Sequence, residues 1–262
     1  MEKNINIIFQ GGGIKGLSYV GVLRYLEENN YKIKHIAGTS VGAIIGSLVA
    51  VGYDSYDLEN IINQINEDVF LYKKKGNNII KDKGLYSLDR LGILLEKLFL
   101  DKGKRVFGDI KVGNNYKIIM ISTSLNFKRI FVLPHDLKLI NINPDTFPIA
   151  KAVIMSASIP LFYEPVKINK YTFYDGGMSD NFPKWCFKKA IAFKVSNEKS
   201  YLTKLRTKIF GEINNKNIVD EIYINTNFVS SKDFKKGLKY KFELYNSGYY
   251  ATKKFFEKLK LL

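Results

Sequence analysis

The first third of the chain alternates between the hydrophobic spacing of strands and that of helices. Residues 5–9 are apolar and β-prone, which predicts a short buried strand. Apolar residues then recur at helical spacing over residues 17–26, until two asparagines end the predicted helix. A second strand leads into residues 38–42, and a second helix runs to Gly52. This β–α–β–α order predicts a parallel sheet covered by helices on both faces.

Later elements follow less regularly, and no repeat or linker separates them, so residues 1–262 are predicted to form one domain. We expect Ser87 to cap a helix with an apolar face from Leu88 to Leu98. Aromatic residues repeat among lysines after Ser231; this stripe is expected to pack on the core, and lying on a membrane is the alternative. The other predictions are a helical region at 54–105 with a loop at 73–86, a hairpin at 117–121 and 129–133, and strands at 171–174 and 221–226.

Composition supports a globular protein with a strong positive charge. The 262 residues are 46% hydrophobic, enough to bury a sizeable core, and the formal net charge is +16. Such a charge favours polyanions, but no nucleic-acid-binding module accompanies it, so an anionic lipid surface is the expected partner. The expected contact face comprises Lys73 to Lys75 and the lysines of residues 232–260. An even spread of charge that only aids solubility is the alternative.

Targeting signals are not evident in the sequence. The longest stretch of apolar and small residues, 41–51, is far shorter than a membrane-spanning helix. The N-terminus shows no signal-peptide pattern, and the single cysteine, Cys186, cannot form an internal disulfide. We therefore expect a cytoplasmic or peripheral-membrane location.

The most informative local motif surrounds Ser40. Gly38 and Gly42 flank this serine in a G-x-S-x-G pattern, directly between the second strand and the second helix. Small flanking residues permit the tight turn that raises a serine hydroxyl above a sheet edge. The amide of Val41, in the first turn of the helix, is then able to point at a substrate carbonyl oxygen. The pattern predicts a nucleophilic serine.

A nucleophilic serine needs a base, and the usual histidine is poorly placed in this chain. His35 lies in the strand that feeds the turn, and His135 follows a proline at the end of a predicted hairpin strand. Asp175 is the better candidate, because Gly176 and Gly177 let its loop approach a neighbouring backbone closely. The alternative is a turn aspartate that only caps local amides. Since an aspartate is a weak base, a Ser–Asp pair would depend strongly on stabilisation of the oxyanion.

A glycine cluster is suited to that stabilisation. Gly11, Gly12 and Gly13 lie between the first strand and a helix N-terminus, where free amides and the helix dipole favour negative charge. With Gly16, the cluster also fits the G-x-G-x-x-G pattern of dinucleotide-binding proteins. That interpretation needs an acidic residue at the end of the second strand, where this chain has Ser40 instead, so it is disfavoured.

Taken together, the motifs resemble those of the patatin-like phospholipase family over residues 5–185. The motifs that carry the resemblance are Gly11–Gly16, Gly38–Ala43, Ser156–Pro160, and Asp175–Gly177 with Asn181 and Pro183. The resemblance implies a three-layer α/β/α fold with a mainly parallel central sheet, and hydrolysis of lipid acyl esters by a Ser–Asp dyad, with no metal and no cofactor. It assigns Ser40 as nucleophile, Asp175 as base, and the amides of Gly12 and Gly13 as the oxyanion hole, in which Gly11 and Val41 are also expected to take part. Lys15 matches the family's basic position, although a solvated first-turn lysine is an equal alternative; Gly16, Gly38, Gly42, Gly176 and Gly177 support the motifs.

The leading prediction is a lipid acyl hydrolase of the phospholipase A or lysophospholipase type, whose substrate would be a phospholipid or lysophospholipid. Two other functions are the alternatives. The first is an acyltransferase, in which an alcohol or thiol resolves the acyl-serine; a late histidine would favour it, and none is suitably placed. The second is a catalytically silent membrane-binding protein. The intact set of Ser40, Asp175 and Gly11–Gly13 disfavours that alternative.

Overall fold

The computed structural model describes residues 3–73, 83–196 and 219–260. The helices are α1 (Ser18–Glu28), α2 (Val41–Val51), α3 (Ser55–Gln64), α4 (Asp89–Asp101), α5 (Ile149–Ala157), α6 (Phe234–Lys239) and α7 (Lys241–Lys260). The strands are β1 (Lys3–Phe9), β2 (Tyr31–Thr39), β3 (Gly84–Tyr86), β4 (Lys111–Val112), β5 (Asn115–Tyr116), β6 (Ile118–Ser124), β7 (Arg129–Leu133), β8 (Leu161–Tyr163), β9 (Val166–Ile168), β10 (Tyr171–Asp175), β11 (Ile191–Lys194) and β12 (Asp220–Tyr223).

The predicted β–α–β–α opening is confirmed, and it builds the centre of the main sheet. In the described part of the chain this sheet has the order β12–β11–β1–β2–β6–β10–β9, and β7 also pairs with β6. Neighbours from β12 to β6 are parallel, whereas β10, β9 and β7 are antiparallel to their partners. The sheet is therefore mainly parallel, and the architecture is three-layer α/β/α as expected.

Side chains of β1 alternate between two cores, as the period of a strand requires. Ile7 and Phe9 are fully buried in the large core, which helices α1 and α2 cover. Ile8 faces the other way, into a smaller cluster with Ala37 and Ala192. Helix α2 is buried along nearly its whole length and ends at Gly52 in the left-handed conformation.

The C-terminal aromatic stripe packs on the core, as predicted. Tyr245 and Phe256 of α7 are buried, and Phe256 stacks on Tyr25 of α1. Other members of the stripe, such as Phe242 and Leu259, remain about half exposed. The helix therefore closes the core with one face and exposes apolar side chains among lysines on another.

The predicted loop at 73–86 is partly wrong. Residues 84–86 form β3, which pairs in parallel with β8, because the aromatic ring of Tyr86 packs against that of Phe162. Residues 74–82, which include Lys74 and Lys75, lie outside the described residues. The Ser87 hydroxyl accepts a hydrogen bond from the Asp89 amide at 3.1 Å, at the start of α4. None of the described helices has the length and apolarity needed to cross a bilayer.

Candidate active site

The sheet register brings the ends of two strands together at the site. Thr39, the last residue of β2, pairs with Ile121 of β6, and Asp175, the last residue of β10, pairs with the next residue, Ser122. Strand β7 pairs with one edge of β6 along residues 120–124. Strands β2 and β10 therefore both pair with the other edge of β6, and their ends meet there. Ser40, one residue past the end of β2, consequently lies beside Asp175.

Ser40 has the strained backbone that its motif predicted. It precedes α2 with φ 55° and ψ −120°, a left-handed conformation that costs a non-glycine residue about 1–3 kcal/mol. Its amide donates to the hydroxyl oxygen of Ser156 at 3.0 Å, and that hydroxyl donates to the Ile121 carbonyl at 2.6 Å. Ser156 therefore ties the turn to the central strand and helps to maintain the strain. The sequence pointed to Ser156 only as part of a motif, without this role.

Asp175 is held by its backbone and by one carboxylate oxygen. Its amide donates to the Ser158 carbonyl at 2.8 Å, and its carbonyl accepts from the Thr123 hydroxyl at 2.8 Å. Oδ1 accepts from the Gly177 amide at 2.6 Å. Oδ2 is buried and makes no hydrogen bond of regular geometry to a described residue. The second oxygen is thus available for a proton.

The environment of Asp175 changes its acidity. Burial raises the pKa of this carboxyl from 3.8 to about 6, and the Ser40 hydroxyl and the Gly177 amide lower it by a smaller amount. A carboxylate with a pKa near 6 is a stronger base than an exposed aspartate and is still mostly ionised at pH 7. The predicted weakness of an aspartate base is therefore reduced by the protein interior.

The glycine loop approaches three later segments of the chain. The Gly11 amide donates to the Asn181 carbonyl at 3.0 Å, and the Ile14 amide donates to the Ser231 carbonyl at 3.0 Å. Gly12 packs against Val195, and Gly13, with φ +55°, lies against the Ser231 carbonyl. Gly11, which the sequence grouped with the anion-binding amides, thus already has an acceptor.

The amides of Gly12, Gly13 and Val41 have no acceptor among the described residues. Gly13 is the first residue of a 3₁₀ turn that covers Gly13–Leu17, and Gly12 is its N-cap. Val41 is the first residue of α2. The first amides of a helix have no partner within it. They are accordingly free to bind an anion.

Other glycines of the motifs permit close backbone contact. A side chain at Gly38 would overlap the Gly42 carbonyl, and one at Gly176 would overlap the Ile121 carbonyl. A side chain at Gly42 would likewise overlap the Phe9 carbonyl. Gly16 and Gly177 instead allow close approach of side chains, those of Val41 at Gly16 and of Asp175 and Asn181 at Gly177. Lys15 is buried in the 3₁₀ turn rather than solvated, which removes the solvated alternative for this lysine.

Ser40 opens into an apolar cavity that lies between helices α2, α3 and α4. Its walls are almost entirely aliphatic, and Gly13, Ile14 and Tyr163 complete it near the serine. The sequence predicted the apolar face of α4 but not the cavity that this face lines. The aliphatic wall residues include Ile44, Ile45, Leu48, Leu58, Ile61, Ile62, Leu91, Leu95 and Leu98.

The two histidines lie elsewhere. Nδ1 of His35 is 3.3 Å from the carbonyl oxygen of Tyr116, and the ring of His135 packs edge-on against the Tyr116 ring. Neither histidine lines the cavity at Ser40. In the described residues, no group of three or more His, Cys, Asp or Glu side chains could hold a metal ion.

Comparison with known proteins places this site in a family. The model of the patatin-like phospholipase family matches residues 7–184. The uncharacterized protein YqhO of Bacillus subtilis is 37% identical over 198 residues, which are 71% of this chain and 67% of that protein. The probable lipid hydrolase 463L of Invertebrate iridescent virus 6 is 26% identical over 201 residues, 74% of this chain and 65% of the viral protein.

Among solved structures, VipD from Legionella pneumophila has the same fold. Its crystal structure matches 97% of this chain and 67% of VipD with a TM-score of 0.60 and 17% sequence identity. The chain thus spans about two thirds of the length of each of these three proteins.

Proposed function

Since this chain belongs to the patatin-like phospholipase family, we propose that it hydrolyses fatty-acyl esters of phospholipids or lysophospholipids through an acyl-serine. The observation that carries the proposal is the position of Ser40, which lies on a strained turn beside a buried carboxylate and opens into an apolar cavity. The cavity suits a fatty-acyl chain, because its aliphatic walls offer no polar partner to a hydrophilic substrate.

The proposed first half-reaction forms the acyl-serine. Asp175 Oδ2 takes the hydroxyl proton while Ser40 Oγ attacks the ester carbonyl carbon, and the carbonyl oxygen becomes an oxyanion. The free amides of Gly12, Gly13 and Val41 stabilise this charge. When the tetrahedral intermediate collapses, the alcohol leaves with the proton that Asp175 had accepted.

The second half-reaction releases the fatty acid. Asp175 takes a proton from a water molecule, which attacks the acyl carbonyl, and the same amides stabilise the second oxyanion. Ser40 leaves and recovers its proton from Asp175. The acyl chain occupies the cavity throughout, so the serine ester stays close to the base.

The pH dependence follows from the acidity of Asp175. Only the ionised carboxylate can accept the serine proton, and its pKa is about 6. We therefore expect kcat/KM on a soluble ester to fall about tenfold for each pH unit below about 6 and to level off above about pH 7. A rate that stays constant between pH 5 and pH 7 would contradict the assignment of Asp175 as the base.

We further propose that a rim beside the cavity contacts anionic membranes; the rim consists of Lys73, Tyr86, Leu161, Phe162 and Lys232. Leu161 is 73% exposed and has φ +66°, so a strained backbone presents an apolar side chain to solvent. The rings of Phe162 and Tyr86 pack with centroids 5.0 Å apart.

Two cations and the cavity wall adjoin these rings. The ammonium groups of Lys73 and Lys232 lie 5.4 Å and 5.9 Å from the ring centroids of Tyr86 and Phe162. Phe162 also packs against Phe234, which lines the cavity. The rim therefore combines cations for lipid phosphates with apolar groups for the interface, next to the proposed acyl site.

Vesicle binding tests the rim. The variant Leu161→Gln with Lys232→Glu is expected to bind anionic vesicles at least tenfold more weakly than the wild type. Each basic residue near such a surface contributes on the order of 1 kcal/mol, and charge reversal also replaces the attraction with repulsion. Ile93→Gln is the matched control, since Ile93 on α4 is 68% exposed and lies outside the rim. Co-sedimentation with neutral and anionic vesicles at low and high salt measures the effect. Equal loss of binding in the control, or equal binding to both vesicle types, would contradict the proposal.

The function itself is tested with a mixed panel of phospholipids and lysophospholipids, whose products are identified by mass spectrometry. We expect free fatty acid from the wild type and none from Ser40→Ala. Covalent labelling of Ser40 by an organophosphonate would independently identify the nucleophile. Labelling without hydrolysis, or acyl transfer to an added alcohol in place of fatty-acid release, would exclude a hydrolase.

A further inference from the structure

The segment from Ser231 to Gly237 lies directly against the glycine loop, although it is outside residues 7–184 that the family model matches. Three contacts join the segment to the loop. The Ser231 carbonyl accepts a hydrogen bond from the Ile14 amide at 3.0 Å, and it also lies against Gly13. The backbone of Gly237, in α6, lies on the side chain of Ile14, so that any side chain at this position would overlap Ile14.

These contacts have consequences for the proposed oxyanion donors. Ile14 is buried and follows Gly12 and Gly13, whose amides are free. A displacement of Ile14 would rotate the peptide groups that precede it, because each peptide unit is planar and the loop is short. The segment 231–237 thus fixes the position of amides that it does not itself supply.

The segment is in turn anchored to the rest of the chain. Oδ1 of Asp233 accepts from the Lys236 amide at 3.0 Å and caps α6. Phe234 is buried and stacks on Phe70 with ring centroids 4.9 Å apart. Upstream, the Thr226 hydroxyl donates to the Val195 carbonyl at 2.7 Å, and Val195 packs on Gly12. The outer side of the glycine loop therefore rests on an ordered surface.

We propose that residues 231–237 position the Gly12 and Gly13 amides for catalysis, with Gly237 as a positioning residue. The proposal rests on the proposed hydrolase function and adds a requirement for a segment beyond the matched family region. Its physical basis is that an oxyanion donor acts through its exact place in the transition state, so a small displacement reduces turnover more than substrate binding.

The test uses Gly237→Ala in the whole chain, assayed on a soluble ester that the wild type hydrolyses. We expect kcat to fall about tenfold or more while KM changes less than about twofold. Adding Ile14→Ala removes the two Ile14 carbons that the new methyl group overlaps most, at 2.1 and 2.7 Å, and leaves only Cβ at 2.9 Å. The double variant should therefore recover part of the lost kcat, measured against the Ile14→Ala single variant. Gly92→Ala is the matched control, because a methyl group there makes only ordinary contacts, and it should leave kcat and KM unchanged.

Two further measurements keep the proposal falsifiable. Hydrogen exchange at the Ile14 amide should accelerate in Gly237→Ala, and urea unfolding shows whether the variant is folded. If it does not fold, the exposed substitution Asp233→Ala weakens α6 instead and should lower kcat at constant KM while it accelerates exchange at Ile14.

Three results would overturn the proposal: a raised KM with unchanged kcat, no recovery in the double variant, or faster exchange at Ile14 without loss of turnover. A wild-type protein that hydrolyses no ester would contradict the proposed function instead. The exchange measurements would still report whether the segment holds the loop.

Discussion

Ser40→Ala and Asp175→Asn are each expected to lower kcat/KM by about 10⁴-fold or more, and the double variant should be hardly slower than either single one. The reason is that, in the proposed mechanism, the serine oxygen is a nucleophile only while the carboxylate accepts its proton, so the two groups act as one unit. Ester hydrolysis by purified variants measures the effect. If Asp175→Asn kept most of the wild-type rate, the base would have to be another group.

The histidines provide the control for this prediction. His35→Gln and His135→Gln should keep most of the activity, because both rings lie against Tyr116 and not at the cavity. Loss of turnover in either folded variant would point to a triad.

The same Asp175→Asn variant should be more stable than the wild type at high pH. The folded-state pKa of Asp175 is about 6 and its ordinary value is 3.8, so the folded protein binds more protons than the unfolded chain between these values. Ionisation of Asp175 consequently lowers the free energy of unfolding as pH rises from about 4 to about 6. Above that range the total loss is about 3 kcal/mol. A neutral asparagine avoids this cost at pH 8 and gives no such gain at pH 3. Urea unfolding at both pH values separates this effect from loss of fold.

The sequence predicts the two proposed reacting groups, Ser40 and Asp175, to different extents. Ser40 was predictable because its signal is local: glycines at fixed offsets between a strand pattern and a helix pattern. The proximity of Asp175 to Ser40 depends on how two strands pair with β6. Strand β2 pairs with it up to Thr39, and the antiparallel β10 pairs with the next residues along the same edge. No periodicity along the chain encodes that register, so from the residues alone Asp175 was a candidate base with a turn aspartate as the alternative, and the family resemblance decided between the two.

The glycine loop at residues 11–13 shows the same limit. The glycine run predicted a loop able to bind negative charge, but it could not show which amides are free. The Gly11 amide donates to the carbonyl of Asn181, which lies 170 residues further along the chain. The Ile14 amide donates to the carbonyl of Ser231, more than 200 residues further along. Likewise the apolar face of α4 was visible in the sequence, whereas the cavity depends on how α2, α3 and α4 pack.

Gly13→Ala is expected to lower kcat by about 10²–10³-fold with a much smaller change in KM, which is the range for loss of one oxyanion donor. Gly13 has φ +55°, which strains any L residue, and an added Cβ would overlap the Ser231 carbonyl. Because that neighbour is backbone and is itself bonded to the Ile14 amide, the loop has to move instead. Steady-state kinetics on a soluble ester, with urea unfolding to verify the fold, measures both quantities.

Gly12 offers the matched comparison. Its φ of −169° lies outside the left-handed region, and an added Cβ would overlap only a methyl group of Val195, because its other neighbours lie at ordinary contact distance. Gly12→Ala should therefore lose less turnover than Gly13→Ala, and Val195→Ala should restore part of that loss by removing the obstructing methyl group, which it cannot do for Gly13→Ala. If Val195→Ala rescued both variants equally, or if both substitutions changed KM alone, the amides of this loop would not be oxyanion donors. The difference between the two glycines thus separates a donor held in a fixed orientation from a loop that merely needs small residues.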